Sequence, residues 1–184
     1  MLFRSVGLFE HEYGIPVSPQ AWKEGADHAE ACIRRFFESP YAETFAALPE
    51  KDWLPIEELD NFRLDGVPVH VKLDAVFRRP DGRVEIVDWK TGRRDRGADG
   101  GDHVQLACYA LYALEKGWVD RPDDIVTVEY ALATGTPHRR EVDTAAITQV
   151  REFIRTSIGG MKALLDDRSE EHTSELQSHS DLVC

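Results

Sequence analysis

The stretch from Val67 to Gly92, VPVHVKLDAVFRRPDGRVEIVDWKTG, decides the fold of this 184-residue chain. Apolar and polar residues alternate from Val67 to Phe77, which predicts a strand with one buried face. A second run, Arg83 to Trp89, is rich in Val and Ile and predicts a partner strand. Between the two runs, Pro80-Asp81-Gly82 has the composition of a tight turn, because proline fixes φ and glycine accepts a positive φ. The stretch therefore predicts an antiparallel hairpin.

The length of this turn decides which side chains face each other. With a three-residue loop, Arg79 pairs with Arg83, and Asp74 then lies directly opposite Asp88. Opposed Cβ atoms are about 4.5–5.5 Å apart, so two like charges there destabilise the hairpin unless a counter-charge is present. A divalent cation that prefers oxygen ligands, Mg²⁺ or Mn²⁺, supplies that charge. Lys90 follows Asp88 by two residues and leaves the strand on the same face, so carboxylates, metal and ammonium group can act together on a phosphate.

The same pairing rule places Lys72 opposite Lys90, which puts two ammonium groups on one face. Two interpretations stay open at this point. Either Lys72 extends to solvent or to a phosphate, or a bulge shifts the register of the hairpin.

These residues, together with two motifs outside the hairpin, resemble a nuclease signature. Asp74 and Asp88-Trp89-Lys90 resemble the PD-(D/E)xK signature in the form found in the RecB/Cas4-like clade. Gln105-Leu106-Ala107-Cys108-Tyr109 is similar to the Q-x-x-x-Y motif that this clade carries on the helix after the hairpin. Gly25-Ala26-Asp27-His28 resembles the helix that supplies an extra metal ligand. A D-x-K triplet alone occurs by chance in many chains, but the four pieces in this order identify the chain as a member of the PD-(D/E)xK nucleases.

The resemblance implies an α/β fold with a restriction-endonuclease-like core, in which helices flank a mixed central sheet. It also implies metal contacts from two carboxylates, a backbone carbonyl and two upstream side chains: Asp74, Asp88, Trp89, His28 and Glu57, with Glu58 as the alternate to Glu57. Lys90 is then the catalytic lysine that orients the attacking water, while Gln105 and Tyr109 position the substrate or groups of the site. A packing role for His28 and a plain core role for Tyr109 are the alternatives.

Composition suits a globular protein that binds DNA only through local charge. The net charge of −12 opposes phosphate binding in general. Arginines nevertheless cluster beside the predicted site, although solvated turn arginines are the alternative interpretation: Arg78, Arg79, Arg93, Arg94 and Arg96. The three cysteines, Cys32, Cys108 and Cys184, are scattered. They indicate a reducing, cytoplasmic setting and argue against the iron–sulfur cluster of Cas4-like relatives. No apolar run reaches the ~20 residues of a membrane span, so no membrane partner is expected.

Residue spacing outside the hairpin predicts further elements: helices at 19–38, 102–117 and 143–165, and strands at 54–64, 124–133 and 138–142. We expect residues 1–167 to form one nuclease-like domain that is truncated at one or both ends. Residues 168–184 change composition abruptly and resemble translated adapter sequence, so we expect them to be a disordered, non-native tail.

The function that these features predict is Mg²⁺-dependent hydrolysis of phosphodiester bonds in DNA, in repair, recombination or defence, with a helicase or recombination protein as a possible partner. The first alternative is a non-catalytic DNA-binding or scaffolding domain of a helicase–nuclease complex. Such a domain is expected to have a broken signature, whereas Asp74, Asp88 and Lys90 are all intact. The second alternative is an unrelated acidic metal-binding protein, in which the Q-x-x-x-Y match arises by chance.

Overall fold

The structure, a computed structural model, describes residues 14–54, 59–92 and 103–180, with side chains described as far as residue 165 except at His103. The helices are α1 (Pro19–Glu38), α2 (Pro40–Ala47), α3 (His103–Glu115) and α4 (Thr144–Ser180). The strands are β1 (Asp60–Leu64), β2 (Val67–Val71), β3 (Ala75–Arg78), β4 (Val84–Lys90), β5 (Ile125–Ala131) and β6 (Thr136–Glu141). Strands β1 and β2 form a two-stranded sheet, and the other four form a mixed sheet in the order β3-β4-β5-β6. The predicted α/β class is confirmed.

The predicted hairpin register is also confirmed. Strands β3 and β4 are antiparallel, with Ala75 opposite Val87. The turn has the predicted three residues, because the Arg79 N–H donates to the Arg83 carbonyl at 2.8 Å. Gly82 has a φ of 87°, the left-handed conformation that favours glycine. Continued by one residue beyond Ala75, this register aligns Asp74 with Asp88.

The single strand predicted from Val67 to Phe77 is wrong. The chain forms two strands there, and β2 pairs with β1 rather than with β4. Asp65 and Gly66 join β1 to β2 with φ values of 50° and 81°, as in a two-residue type I′ hairpin. Lys72 follows the end of β2 and belongs to no ladder, so the pairing rule that placed it opposite Lys90 does not reach it. Neither a bulge nor a register shift is needed to explain Lys72.

The opening strand begins later than predicted. The strand expected from residue 54 starts at Asp60, and Trp53 makes only an isolated antiparallel bridge with Phe77. Glu57 and Glu58 lie outside the described residues, as do Arg93, Arg94 and Arg96.

Contacts divide the chain into two units. The first comprises residues 1–51, 89–101 and 129–138, and the second comprises residues 52–88, 102–128 and 139–184. An aromatic cluster organises the first unit, in which Trp89 packs edge-on against Phe36 and Tyr41 at ring-centroid distances of 5.4 and 5.3 Å. The second unit has an apolar core in which Ile86, Leu111 and other side chains are fully buried. Burial of each such side chain contributes about 1.5–3 kcal/mol.

Helix α1 begins and ends where the sequence predicts. The Ser18 side chain caps it by accepting the Ala21 N–H at 3.1 Å, and Pro19 occupies the first turn. Only part of the apolar face of α1 is buried. Cys32 is buried, whereas Trp22, Ile33 and Phe37 on this helix are exposed. In the described part of the chain, no helix combines the length and apolarity required to cross a bilayer.

Helix α4 begins after Asp143, whose carboxylate accepts the Ala146 N–H at 2.7 Å. Ile147, Val150 and Ile154 form its buried stripe, whereas Met161 and Leu165, at the same helical spacing further along, are exposed. The helix continues past the predicted end at residue 165 to Ser180. The division into a domain of residues 1–167 and a tail of residues 168–184 stays a prediction.

Candidate active site

Two carboxylates lie at neighbouring ends of the central hairpin. Asp88 is near the end of β4 and only 4% exposed, whereas Asp74 is exposed in the break between β2 and β3. A buried carboxylate is costly unless polar groups or charges surround it. Helix α3 provides one such group, because the Gln105 amide Nε2 donates to Asp88 Oδ1 at 3.2 Å.

Gln105 is itself oriented by Tyr109, one helical turn further along α3. Gln105 Nε2 donates its second hydrogen to the Tyr109 hydroxyl at 2.6 Å. That hydroxyl donates in turn to the Lys72 carbonyl at 2.7 Å. A chain of hydrogen bonds therefore links Asp88, Gln105, Tyr109 and the carbonyl of Lys72, the residue two positions before Asp74, and Gln105 donates in both directions. Both carboxylate-bearing segments are thus tied to one face of α3.

The structure changes the interpretation of the Q-x-x-x-Y residues. The Gln105 amide nitrogen donates to both Asp88 and Tyr109. Tyr109 is 6% exposed and belongs to the apolar core, as its alternative interpretation required. Its hydroxyl nevertheless makes two polar contacts, so Tyr109 is both a core residue and a link in the hydrogen-bonded chain.

The thiol of Cys108, which lies between Gln105 and Tyr109 in the sequence, has low nucleophilic reactivity. Burial raises the pKa of the Cys108 thiol to about 11. Since the thiolate is the nucleophilic form, Cys108 is protonated near neutral pH and is a poor candidate for covalent catalysis.

Trp89 and Lys90 end strand β4. The half-buried Trp89 ring packs in the aromatic cluster, with a further edge contact to Phe45 at 6.1 Å and a tilted contact to Tyr130 at 5.6 Å. Because successive side chains of a strand point to opposite faces, Lys90 and Asp88 leave β4 on the face opposite to Trp89. The Lys90 carbonyl accepts the Leu132 N–H at 2.8 Å, which fixes the backbone at this end of the strand.

His28 is placed beside the residue that follows β4. Its Nε2 atom lies 2.6 Å from the Thr91 carbonyl oxygen. A carbonyl oxygen only accepts, so Nε2 carries the hydrogen and Nδ1 is the nitrogen that remains for a metal. The ring also lines a cavity of about 330 Å³ with Cys32 and Leu132. The predicted ligand therefore has a structural contact at one nitrogen, and its metal role stays a prediction.

Arg78 and Arg79, the two arginines of the predicted basic cluster that the structure describes, make contacts within the protein. Arg78 donates to the carbonyls of Gly82 and Trp118 at 3.0 Å each. Arg79 donates to Glu85 at 2.7 Å, and Arg139 donates to both oxygens of Glu85 at 3.0 and 3.1 Å. These contacts favour the interpretation of the turn arginines as structural.

Sequence reasoning missed two buried acids. Glu85 on β4 and Glu129 on β5 are 3% and 4% exposed. In the sequence, the only indication that each of these acids is buried is a single glutamate within an otherwise apolar run, VEIV for Glu85 and VTVEYA for Glu129. The burial of Glu85 is explained by its ion pairs with Arg79 and Arg139.

The donor chemistry of the site fits a hard divalent cation. Asp74 and Asp88 offer carboxylate oxygens, and Mg²⁺ in proteins is commonly held by one or two carboxylates together with waters and substrate phosphates. Within the described ranges, no three acidic, histidine or cysteine side chains converge as a complete metal cage.

Comparison with protein families agrees with this chemistry. The family model of the PD-(D/E)XK nuclease superfamily matches residues 5–179. A comparison with curated proteins found no match.

Proposed function

The chain belongs to the PD-(D/E)XK nuclease superfamily, and from this premise we propose that it is a metal-dependent deoxyribonuclease of the RecB/Cas4-like type. The proposed reaction is hydrolysis of phosphodiester bonds in DNA, as exonuclease or endonuclease, during repair, recombination or defence. The observation that carries the proposal is the hydrogen-bonded chain from Asp88 through Gln105 and Tyr109 to Lys72. It joins the signature carboxylate Asp88, and the backbone two residues before Asp74, to the Q-x-x-x-Y residues.

Asp74 and Asp88 are the proposed ligands of Mg²⁺ or Mn²⁺, with the Trp89 carbonyl completing the set. Such a cation, when bound, polarises the scissile phosphate and lowers the pKa of a coordinated water. Asp88 must stay ionised and correctly turned for this role. The Gln105 N–H fixes the rotation of the carboxylate, as partners of metal ligands commonly do.

Lys90 is the proposed catalytic lysine. Its ammonium group, on the same face of β4 as Asp88, orients the attacking water and neutralises the charge that develops on the phosphate oxygens. Preorganised donors aimed at developing charge are each worth about 10²–10³ in rate. The aromatic cluster around Trp89 holds the backbone between the two functional side chains.

Gln105 and Tyr109 are proposed as positioning residues and His28 and Glu57 as accessory metal ligands, His28 through Nδ1. Cys32 and Cys108 are free thiols, which is consistent with a reducing compartment, and the proposed location is the cytoplasm. DNA is the proposed substrate, and a helicase or recombination protein is the proposed partner.

The test is degradation of labelled linear single-stranded and double-stranded DNA with Mg²⁺, with Mn²⁺ and with EDTA. The informative variant is Asp88→Asn, which keeps the shape of the side chain and removes its charge. Asp123→Asn is the matched control, because Asp123 is exposed and pairs with Arg121. We expect metal-dependent cleavage by the wild type and the control, and none by Asp88→Asn.

Two results would contradict the proposal. Cleavage by Asp88→Asn at the wild-type rate would remove Asp88 from the site. A folded wild type that binds DNA but cuts no form of it with either metal would favour a non-catalytic scaffolding domain.

A further inference from the structure

The outer face of the β1–β2 hairpin carries a row of polar side chains that ends at the proposed site. On β2, Pro68 and His70 are exposed while Val71 is buried, and the alternation continues beyond the strand, where Lys72 and Asp74 are exposed and Leu73 is buried. Across the hairpin, β1 adds residues to the same face, because Asn61 lies opposite His70 and Arg63 lies opposite Pro68. We call these side chains the hairpin face: Asn61, Arg63, His70 and Lys72.

The two cations of the hairpin face are not neutralised by acids of the same hairpin. Within the described part of the chain, Lys72 Nζ has no hydrogen bond or ion pair, and Arg63 donates only to the Gly66 carbonyl, at 2.6 Å. The acids of this hairpin form ion pairs with other residues instead. Asp60 pairs with Lys116 at 2.8 Å, and Asp65 pairs with Arg155 at 2.7 Å.

The hairpin face differs in this respect from the tip of the central hairpin, whose arginines are paired with Glu85, Asp81 and Glu141. The protein has a net charge of −12. Arg63 and Lys72 therefore add local positive charge to one face of an acidic protein. Such surfaces attract polyanions even when the average charge is repulsive.

The spacing of the row suits a nucleic-acid strand. Alternate residues of a strand are about 6.8 Å apart, which is close to the separation of successive phosphates in an extended strand. Lys72 lies one such step before Asp74, and its carbonyl is held by the Tyr109 hydroxyl. The row is thus anchored to the same hydrogen-bonded chain that orients Asp88.

We infer that the hairpin face binds the sugar–phosphate backbone of the DNA strand that is cut, and leads it to Asp74. This inference rests on the proposed nuclease function. Lys72 and Arg63 each contact a phosphate, and Asn61 and His70 provide hydrogen bonds to the same backbone. The otherwise unexplained position of Lys72 beside the carboxylates then has a function.

The test is DNA binding, measured by fluorescence anisotropy of a labelled oligonucleotide in EDTA over a series of salt concentrations. The variant is the double substitution Arg63→Gln with Lys72→Gln. Its control is Lys23→Gln with Arg121→Gln, which removes the same charge from exposed residues elsewhere. Thermal unfolding of both double variants confirms that each is folded.

Loss of two phosphate contacts lowers the slope of log K against log salt by about 1.4 for single strands and 1.8 for duplex. At 0.1 M salt this corresponds to a Kd about 25- to 60-fold weaker, and the difference disappears toward 1 M. We expect this result for the hairpin-face variant and a change of less than about 3-fold for the control, whose side chains touch no phosphate.

Two outcomes would overturn the inference, and only the second would also overturn the proposed function. If the hairpin-face variant binds DNA as tightly as the control while the wild type cleaves DNA with Mg²⁺, the inference fails and the proposed function stands. If the wild type neither binds nor cleaves DNA, the proposed function fails and the inference fails with it.

Discussion

Substitution of Tyr109 by phenylalanine removes one oxygen atom from the centre of the proposed site. The hydroxyl donates to the Lys72 carbonyl at 2.7 Å and accepts from Gln105 at 2.6 Å. A net hydrogen bond contributes about 0.5–1.5 kcal/mol. Water can replace the hydroxyl at Lys72, which is exposed, but less easily at the half-buried Gln105. We therefore expect the free energy of unfolding to fall by about 1–2 kcal/mol, which corresponds to a Tm lower by about 2–8 °C.

The catalytic effect of Tyr109→Phe should exceed this modest loss of stability. Without the hydroxyl, Gln105 is free to rotate away from Asp88, and the backbone before Asp74 loses its anchor. Loss of a residue that orients metal ligands commonly costs about 10- to 100-fold in metal affinity or activity. The assays are urea unfolding, calorimetric titration with Mn²⁺, and single-turnover cleavage of linear DNA.

Tyr112→Phe is the matched control. Tyr112 lies on the same helix, is 1% exposed and donates to Asp60 at 2.6 Å, and Asp60 is not one of the proposed site residues. We expect the two variants to lose similar stability and only Tyr109→Phe to lose Mn²⁺ affinity and cleavage. Equal cleavage by both variants, or equal loss in both, would refute the reasoning that α3 orients the carboxylates through Tyr109.

Three further predictions concern the framework of the molecule. Hydrogen bonds from Lys116 and then Tyr112 lower the pKa of Asp60 to about 2, below its unfolded value of about 3.9. In urea titrations, the stability that Asp60 adds relative to Asp60→Asn should therefore be complete above pH 4 and lost between pH 4 and 2. A stability difference that stays constant over this range would contradict the prediction. In a background with Cys32→Ala and Cys184→Ser, native Cys108 should react with iodoacetamide at pH 8 at least about 10-fold more slowly than in urea, because its high pKa reduces the thiolate more than it raises nucleophilicity. Equal rates would show that the thiol is not shielded. Glu85→Gln should cost about 2–3 kcal/mol in urea unfolding, since two arginines lose their buried counter-charge, and a cost below about 0.5 kcal/mol would show that the pair is not stabilising.

The local pattern of the chain was sufficient to predict the central hairpin and the helices around it. Pro80-Asp81-Gly82 determines a three-residue turn from turn chemistry alone, and the register that follows aligns the two aspartates. Helix α1 is bounded by Ser18-Pro19 and Ser39-Pro40, so both of its ends can be read from neighbouring residues.

The errors arose where distant parts of the chain decide the local structure. The strand break at Lys72 depends on the Tyr109 hydroxyl, 37 residues away, and on the competing pairing of β1 with β2. The burial of Glu85 depends on Arg139, 54 residues away. The tautomer of His28 depends on the Thr91 carbonyl. In each case the partner is a polar atom supplied by the tertiary fold, and periodicity carries no information about it.

For the site, too, the sequence predicted residue types but not their tertiary contacts. The pieces of the signature identify the carboxylates, the lysine and the Q-x-x-x-Y pair, but not how these residues contact one another. Gln105 was expected to position the substrate or groups of the site, and the structure adds the atoms that its amide nitrogen meets, which belong to Asp88 and Tyr109. A motif specifies residue types at set spacings, and only the packed helix determines the atoms they meet.

The most direct test of the central claim is the single-turnover rate of DNA cleavage by Lys90→Ala in saturating Mg²⁺, with Lys23→Ala as the exposed control. If β4 supplies both the metal-binding carboxylate and the lysine that stabilises the developing charge, the rate should fall at least about 10²-fold. Binding of Mn²⁺ and the fold should be retained, since Asp88 and the aromatic cluster around Trp89 are unchanged. A Lys90→Ala enzyme that binds metal and cleaves within about 3-fold of the control would contradict the account.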